Sequence, residues 1–343
     1  LTCTILASMQ NTLLMIRSTK DGWKTYECLK NVNPSSVAFD PLKPDRAYCG
    51  TFDKGLWKSD DKGQCWEKTS LDIPDSQIMS LSVSPIKRGK EEFNKLLVGM
   101  EPSLIFMSID GGKSWEKIDE FDKLPSSSTW SFPPRPWTHH VRWIEQDVNN
   151  EDNIFAAIEA GALIKSIDGG RSWIDKAKDG PYDSHTLRTH KKAPHRLYSA
   201  AGDGYFESLD CGNTWKRKVK GLGHNTYLYS IAVNNNDPQN IVVSASSNAW
   251  KSHAIQDSET FIYRRNSDEE GAGWIPSIDG LPGSKGTVIS ILESHPKNKD
   301  EFYCLNNKGI FFSVNSGESW KSLDIPWSKE YYLQHPWALA LIE

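Results

Sequence analysis

The chain lacks most of the features that announce a common function class. Its 343 residues include only six cysteines, scattered and without a Cys-x-x-Cys pair. That excludes a dense disulfide scaffold and a zinc site built from paired cysteines, and it fits a reduced, cytoplasmic setting. A leader that had been removed would leave no trace, so an exported origin stays open. No run is apolar enough to span a bilayer, since the apolar start from Leu1 to Arg17 is broken by Gln10, Asn11 and Thr12. Positive charge is not in excess. Forty Lys and Arg against 44 Asp and Glu give a net −4, so nucleic acid and anionic membrane surfaces are not the expected partners. There is no His-Glu-x-x-His, no Ser-His-Asp order that geometry would favour, and no convincing phosphate loop, because Gly202-Asp-Gly204 opens a strand rather than a helix.

What the chain does have is tryptophan and a repeated phrase, Ser-x-Asp-x-Gly-x-Ser/Thr-Trp. It occurs at Ser108 to Trp115, Ser166 to Trp173 and Ser208 to Trp215. Looser copies run from Ser59 to Trp66, with Cys65 at the Ser/Thr place, and from Ser313 to Trp320, with Asn315 at the Asp place. Trp23 after Asp21-Gly22 ends a degenerate first copy, and Trp274 divides the long gap between Trp215 and Trp320. Seven units result. Each reads as four short strands separated by turn residues. In the fifth unit these are Ser184–Thr189, Arg196–Ala201, Tyr205–Ser208 and Trp215–Val219. The pattern predicts an all-β, seven-bladed β-propeller forming one domain over residues 1–343. The first unit starts at its second strand, near Thr2–Met9. The segment Trp337 to Glu343 resembles the innermost strands Ile78–Val83 and Tyr229–Val233. The C-terminus is therefore expected to supply the missing strand of blade 1 and leave no open seam. The repeated phrase is a turn device: Asp accepts backbone N–H groups, Gly allows positive φ, and Trp packs between blades. Two charge runs read as structural, Lys216-Arg-Lys218 as a solvated edge and Asp268-Glu-Glu270 as the degenerate turn of blade 6.

The phrase resembles the Asp-box (BNR) repeat of sialidase-like and related propellers, over nearly the whole chain. The resemblance implies the propeller fold and places the boxes away from the working face. Among its members the chain is similar to Asp-box proteins labelled glycosyl hydrolase. True sialidases add an arginine triad, a tyrosine nucleophile and six blades. Arg135, Arg142 and Arg188 do not follow that spacing, so this is not a typical sialidase.

Function is expected where long loops share one rim. They are 126–140, with Arg135, Trp137, His139 and His140; 247–260, with Trp250; and 330–337, with aromatics and His335. The joins between second and third strands carry Asp53, Glu101, Glu159 and Asp203, of which Glu159 is the least usual turn former. Aligned through their following turns, Arg142, His185 and Tyr229 are equivalent on blades 4, 5 and 6, where blades 3 and 7 have Met79 and Ser290. A one-residue slip would turn them away.

Three chemistries follow. A carboxylate-based glycosidase would use Glu159 with Glu101 or Asp203, His185 carrying protons, and Trp130, Trp137 and Trp250 stacking on sugars. A metal-assisted hydrolase would hold a divalent metal through His140, His185 and His224 with Glu159 or Asp203. A non-catalytic scaffold, like the photosystem-assembly and sorting-receptor members of the superfamily, would use Arg135, Trp137 and Trp250 to bind a protein. The favoured expectation is a small polar or carbohydrate-like ligand bound at this face, with Arg142 as an anion clamp and hydrolysis as the accompanying chemistry.

Overall fold

The computed structural model of the chain describes residues 3–69, 77–87, 89, 92–118, 120–267, 269 and 271–343. The strands assemble into seven antiparallel sheets. Blades 2 to 7 open on the inner strands Pro34–Asp40, Gln77–Val83, Val141–Gln146, Ser184–Arg188, Tyr227–Val233 and Ile291–Ser294. Blade 1 takes its inner strand from the other end of the chain, where Pro336–Ile342 pairs with Thr4–Met9 from Thr4–Ile342 to Met9–Pro336. Two side-chain contacts reinforce that closure: Asn11 N donates to Gln334 Oε1 at 3.1 Å, and Glu343 meets Lys297 at 2.9 Å. The seven-bladed ring with its C-terminal closure is thus as the repeats predict. Thr2, expected at the start of the first strand, lies outside the described residues, as do Asp268 and Glu270 of the blade 6 acidic run.

The Asp-boxes act as turns. Asp110 Oδ1 accepts the N–H groups of Lys113 and Ser114 at 3.0 Å each, and Oδ2 accepts the Ser114 hydroxyl at 2.6 Å. Ser108 Oγ accepts Gly112 N–H at 2.9 Å. In blade 7 the Asn315 amide does the same work, its Oδ1 accepting Ser319 N–H at 3.1 Å. Gly63 shows why the box needs glycine: φ is +86°, and a Cβ there would lie 2.8 Å from Leu6 of the neighbouring blade.

The outermost strands of blades 4 and 5 are shorter than the pattern predicts, whereas that of blade 1, Gly22–Lys30, is full length. In blade 5 only Lys216–Arg217 is paired, not Trp215–Val219, and in blade 4 the fourth strand is a single bridge between Lys165 and Ile174. Little core lies beyond the third strand, so pairing there gains little burial. The Lys216-Arg-Lys218 run is not wholly solvated either. Lys218 lies past the paired residues, donates its N–H to Tyr205 O at 2.8 Å, and turns its ammonium to Glu207 at 2.9 Å. Among the described residues no helix is long and apolar enough to cross a membrane.

Candidate functional site

Six of the seven inner strands carry the same irregularity near their start. The ladder slips around Ser35, Met79, Arg142, His185 and Tyr229, one in each of blades 2 to 6, and around Trp337 in blade 1. A bulge leaves one residue unpaired and re-aims its side chain. The bulge thus sets these side chains at one level of the ring, and Arg142, His185 and Tyr229 occupy it on adjacent blades. The residues two places earlier form a second ring: His140, Asp183, Tyr227 and His335.

Glu159 sits at the centre of the charged part of this ring. It lies in the turn after Ile154–Ile158, where Ala160 has φ +50° and gives its N–H to Asp183 Oδ1 at 2.9 Å. Glu159 Oε2 lies 2.6 Å from His140 Nε2 and 3.7 Å from Arg142 Nε. Oε1 lies 3.7 Å from His185 Nε2, which is also 3.5 Å from Asp183 Oδ2. On its other side His140 Nδ1 is 3.3 Å from Glu101, an ion-pair contact, and Glu101 is gripped by Arg135 through Nε at 3.0 Å and Nη2 at 2.5 Å. Arg142 stacks over the Tyr229 ring at 4.7 Å. Tyr227 Oη bridges His185 Nε2 at 3.4 Å and His253 Nε2 at 3.1 Å, and His253 Nδ1 meets His335 Nε2 at 2.7 Å.

Burial and pairing pull these groups apart in protonation. Burial works to raise the Glu159 pKa, but the His140 hydrogen bond and the charges of His140, His185 and Arg142 outweigh it and hold the carboxylate well below its ordinary range. Burial lowers His140, yet its contacts to Glu101 and Glu159 win and raise it. Asp183 is raised, chiefly by burial, against the opposing charge of His185. Burial drives His253 well down, aided by His335, and brings His335 to about 4.

These groups open onto a cavity of about 580 Å³. All three rim loops contribute to it: Phe132, Arg135 and His140 from the first, His253 and Ile255 from the second, His335 and Trp337 from the third. Phe52, Tyr227 and Tyr229 complete an aromatic wall.

The structure therefore brings together Glu101, Glu159, His185, Arg135, His140, Arg142 and Tyr229, and leaves the other expected residues elsewhere. Asp203 accepts the N–H groups of Tyr182 at 3.3 Å and Asp183 at 3.4 Å, so it shapes the loop that carries Asp183. His139 is half-buried, edge-on to Trp130 at 5.7 Å. Trp130 is core, packed on Phe121, because its ring fills the space beside blade 4, and it is unavailable to a sugar. Trp137 and Trp250 stand on the rim, 79% and 66% exposed, and do not line the cavity. His224 is exposed in the loop before blade 6. Arg188 pairs with Glu293 at 2.8 Å and lines an adjoining cavity of about 330 Å³ further along the inner strands, which shares Arg142 and Tyr229 with the first. Among the described residues, Glu159, Asp183 and His185 offer three ligand atoms within 4.8 Å of one another, in place of the expected set with His140 and His224. Sequence reasoning did not assign roles to Asp183, Tyr227, His253 and His335. The spacing of two residues before each bulge would have found all but His253.

The family described as "Photosynthesis system II assembly factor YCF48" matches residues 15–131. The photosystem II assembly lipoprotein Ycf48 of Synechococcus sp. (strain CC9902) is 25% identical over 195 residues, 57% of this chain and 52% of that protein. The chain thus spans about half the length of this relative. Among solved structures, an ancestral GH74 enzyme superposes with a TM-score of 0.64 at 16% identity, over 81% of this chain and 36% of its own. YCF48 bound to D1 peptide superposes with a TM-score of 0.54 at 18% identity, over 85% of this chain and 81% of its own. The chain is thus similar to BNR-type propellers, with both assembly factors and glycosyl hydrolases among its neighbours, as its Asp-boxes imply.

Proposed function

We propose that the loop-rich face binds a small polar, carbohydrate-like ligand in the aromatic cavity and hydrolyses it with the Glu159 cluster. The observation that carries this reading is the junction of ring faces and charge. Phe132, Tyr227 and Trp337 supply partly exposed rings to a cavity that Glu159, Asp183, Arg142 and the histidines His140, His253 and His335 also line. Apolar walls with a few fixed polar groups suit a ligand that has both ring faces and hydroxyls. In this reading Arg142 orients the polar end, the Glu159–Asp183 pair acts at the scissile bond, and His140 positions Glu159. The fold shared with a GH74 enzyme is in keeping with it. So is a cytoplasmic setting, given six unpaired cysteines. The test is product analysis by mass spectrometry on a panel of neutral and acidic oligosaccharides. The wild type is expected to release shorter products and Glu159→Gln to release none. Equal release by both proteins, or release by neither, contradicts the hydrolytic part.

The exposed Trp137 and Trp250 favour a second reading, a polypeptide docked across the rim. The solved YCF48 bound to D1 peptide supports it by analogy of fold. Trp137→Ser with Trp250→Ser separates the readings: it removes peptide binding and leaves saccharide turnover intact.

A further inference from the structure

Glu159, Asp183 and His185 each have one atom engaged and one atom aimed at a common centre. His185 Nδ1 lies 2.6 Å from the Leu228 carbonyl. A carbonyl only accepts, so Nδ1 carries a proton, and in the neutral imidazole that a metal would bind Nε2 presents a lone pair. Asp183 Oδ1 is occupied by Ala160 N–H at 2.9 Å. Glu159 Oε2 is occupied by His140 at 2.6 Å, with Arg142 on the same oxygen. What remain are three acceptors face to face: His185 Nε2, Asp183 Oδ2 at 3.5 Å and Glu159 Oε1 at 3.7 Å. Those separations are too long for hydrogen bonds. The hydroxyl of Tyr227, 3.4 Å from Nε2, is the nearest donor. A tetrahedral ion with bonds of about 2.1 Å has ligand–ligand edges of about 3.4 Å. The two edges to His185 Nε2 match that value, and all three ligand atoms lie within 4.8 Å of one another.

The geometry points to a divalent transition-metal site, of the Zn²⁺ class, held by Glu159, Asp183 and His185. The anchored far atoms are the arrangement that orients metal ligands: an imidazole tied through its other nitrogen to a carbonyl, and carboxylates tied through their other oxygen. The nitrogen donor disfavours Ca²⁺ and Mg²⁺, which take oxygen ligands. Three protein ligands leave a fourth position, on the side where Glu159, Asp183 and Tyr227 line the cavity. Water bound there would be acidified and stand against a ligand in the cavity. His140 is then the group that orients Glu159.

The proposal rests on this cavity as the working site but not on saccharide turnover. Its test involves no substrate, so failure of either reading leaves the other standing. Protein stripped with chelator and dialysed is titrated with ZnCl₂ by calorimetry and with Co²⁺ by visible absorption. The expected result is one ion per chain, with the intense d–d bands of a four-coordinate cobalt site. His185→Ala and Asp183→Asn should each weaken affinity by at least about ten-fold. His195→Ala, an exposed histidine outside the cavity, should leave affinity unchanged. Circular dichroism confirms the fold of each variant, and the near-isosteric Glu159→Gln repeats the test should His185→Ala unfold. Absence of saturable one-to-one uptake by folded wild type overturns the proposal. So does uptake that is undiminished in both His185→Ala and Glu159→Gln.

Discussion

Two buried carboxylates, Glu207 and Glu159, sit on neighbouring blades and teach opposite lessons. Glu207 is surrounded. Its Oε2 receives Arg196 at 3.0 Å, Arg265 at 2.9 Å and the Tyr205 hydroxyl at 2.8 Å, and its Oε1 receives Lys218 at 2.9 Å. Arg265 stacks on Tyr205 and Trp274, and all of the group but the partly exposed Lys218 is buried. Glu159 has cations on one oxygen only, and its other oxygen faces further acceptors beside a cavity. A carboxylate whose partners close around it clamps structure. One whose partners leave convergent atoms pointing at open space is arranged for something that arrives. Exposure is low in both, 2% for the Glu207 side chain and 14% for that of Glu159, and the direction of the unused atoms separates the two cases.

The comparison breaks first at Glu207. Glu207→Ala leaves three cations without their buried counter-charge and should cost about 3–5 kcal/mol in a denaturant titration. It should leave saccharide binding unaltered in whatever fraction remains folded. A loss below about 1 kcal/mol would mean that the clamp is not one. Glu159→Gln should show the inverse, a stability change of about 2 kcal/mol or less, since the amide still accepts from His140, with ligand binding lost.

Acid separates the two regions by their pH windows. Burial acts to raise Glu207, but Lys218, Arg196 and Arg265 outweigh it and hold its pKa at about 2 against an ordinary 4.5. A lowered carboxylate stabilises fully above the ordinary value and loses that contribution as pH falls toward 2. His253 and His335 are lowered histidines, and the folded state favours their neutral forms. Their contribution is complete above about 6.5 and erodes as pH falls from there toward 4, with His253, Arg142 and the rings of Tyr229 and Trp337 facing His335. Melting temperature followed from pH 7 to pH 4 should therefore fall less steeply in His335→Asn than in the wild type. Parallel curves would remove the His pair from the account. The smallest effect belongs to Lys218, whose side chain is 35% exposed. Lys218→Ala should cost about 1 kcal/mol or less in the same titration, and less again at high salt.

The sequence made the ring legible because the Asp-box is a local device. Ser, Asp, Gly and Trp interact within one turn, so their spacing survives as text. Closure was legible too, since Trp337 to Glu343 carries the inner-strand pattern without a unit of its own. The equivalence of Arg142, His185 and Tyr229 was legible through the following turns, but what aims them inward is a bulge, which no composition rule marks. Asp183 was harder. It stands just before the inner strand of blade 5 with no motif to give it a role, and the groups that hold it, Ala160 and Asp203, come from other turns. His253 lies on the short helix Ala249–His253, whose approach to His335 joins residues 82 apart in sequence. Trp130 misled for the reverse reason: a loop tryptophan among prolines looks exposed, yet it is folded back on Phe121.

The most direct test is calorimetric titration of the oligosaccharide panel into wild type, Glu159→Gln and Tyr229→Ala. The account predicts saturable one-to-one binding of at least one saccharide by the wild type, weakened at least about ten-fold, or about 1.4 kcal/mol, in each variant. Binding that both variants retain, or its absence from the wild type across the panel, would contradict the claim that the Glu159 cavity is where this propeller takes a carbohydrate-like ligand.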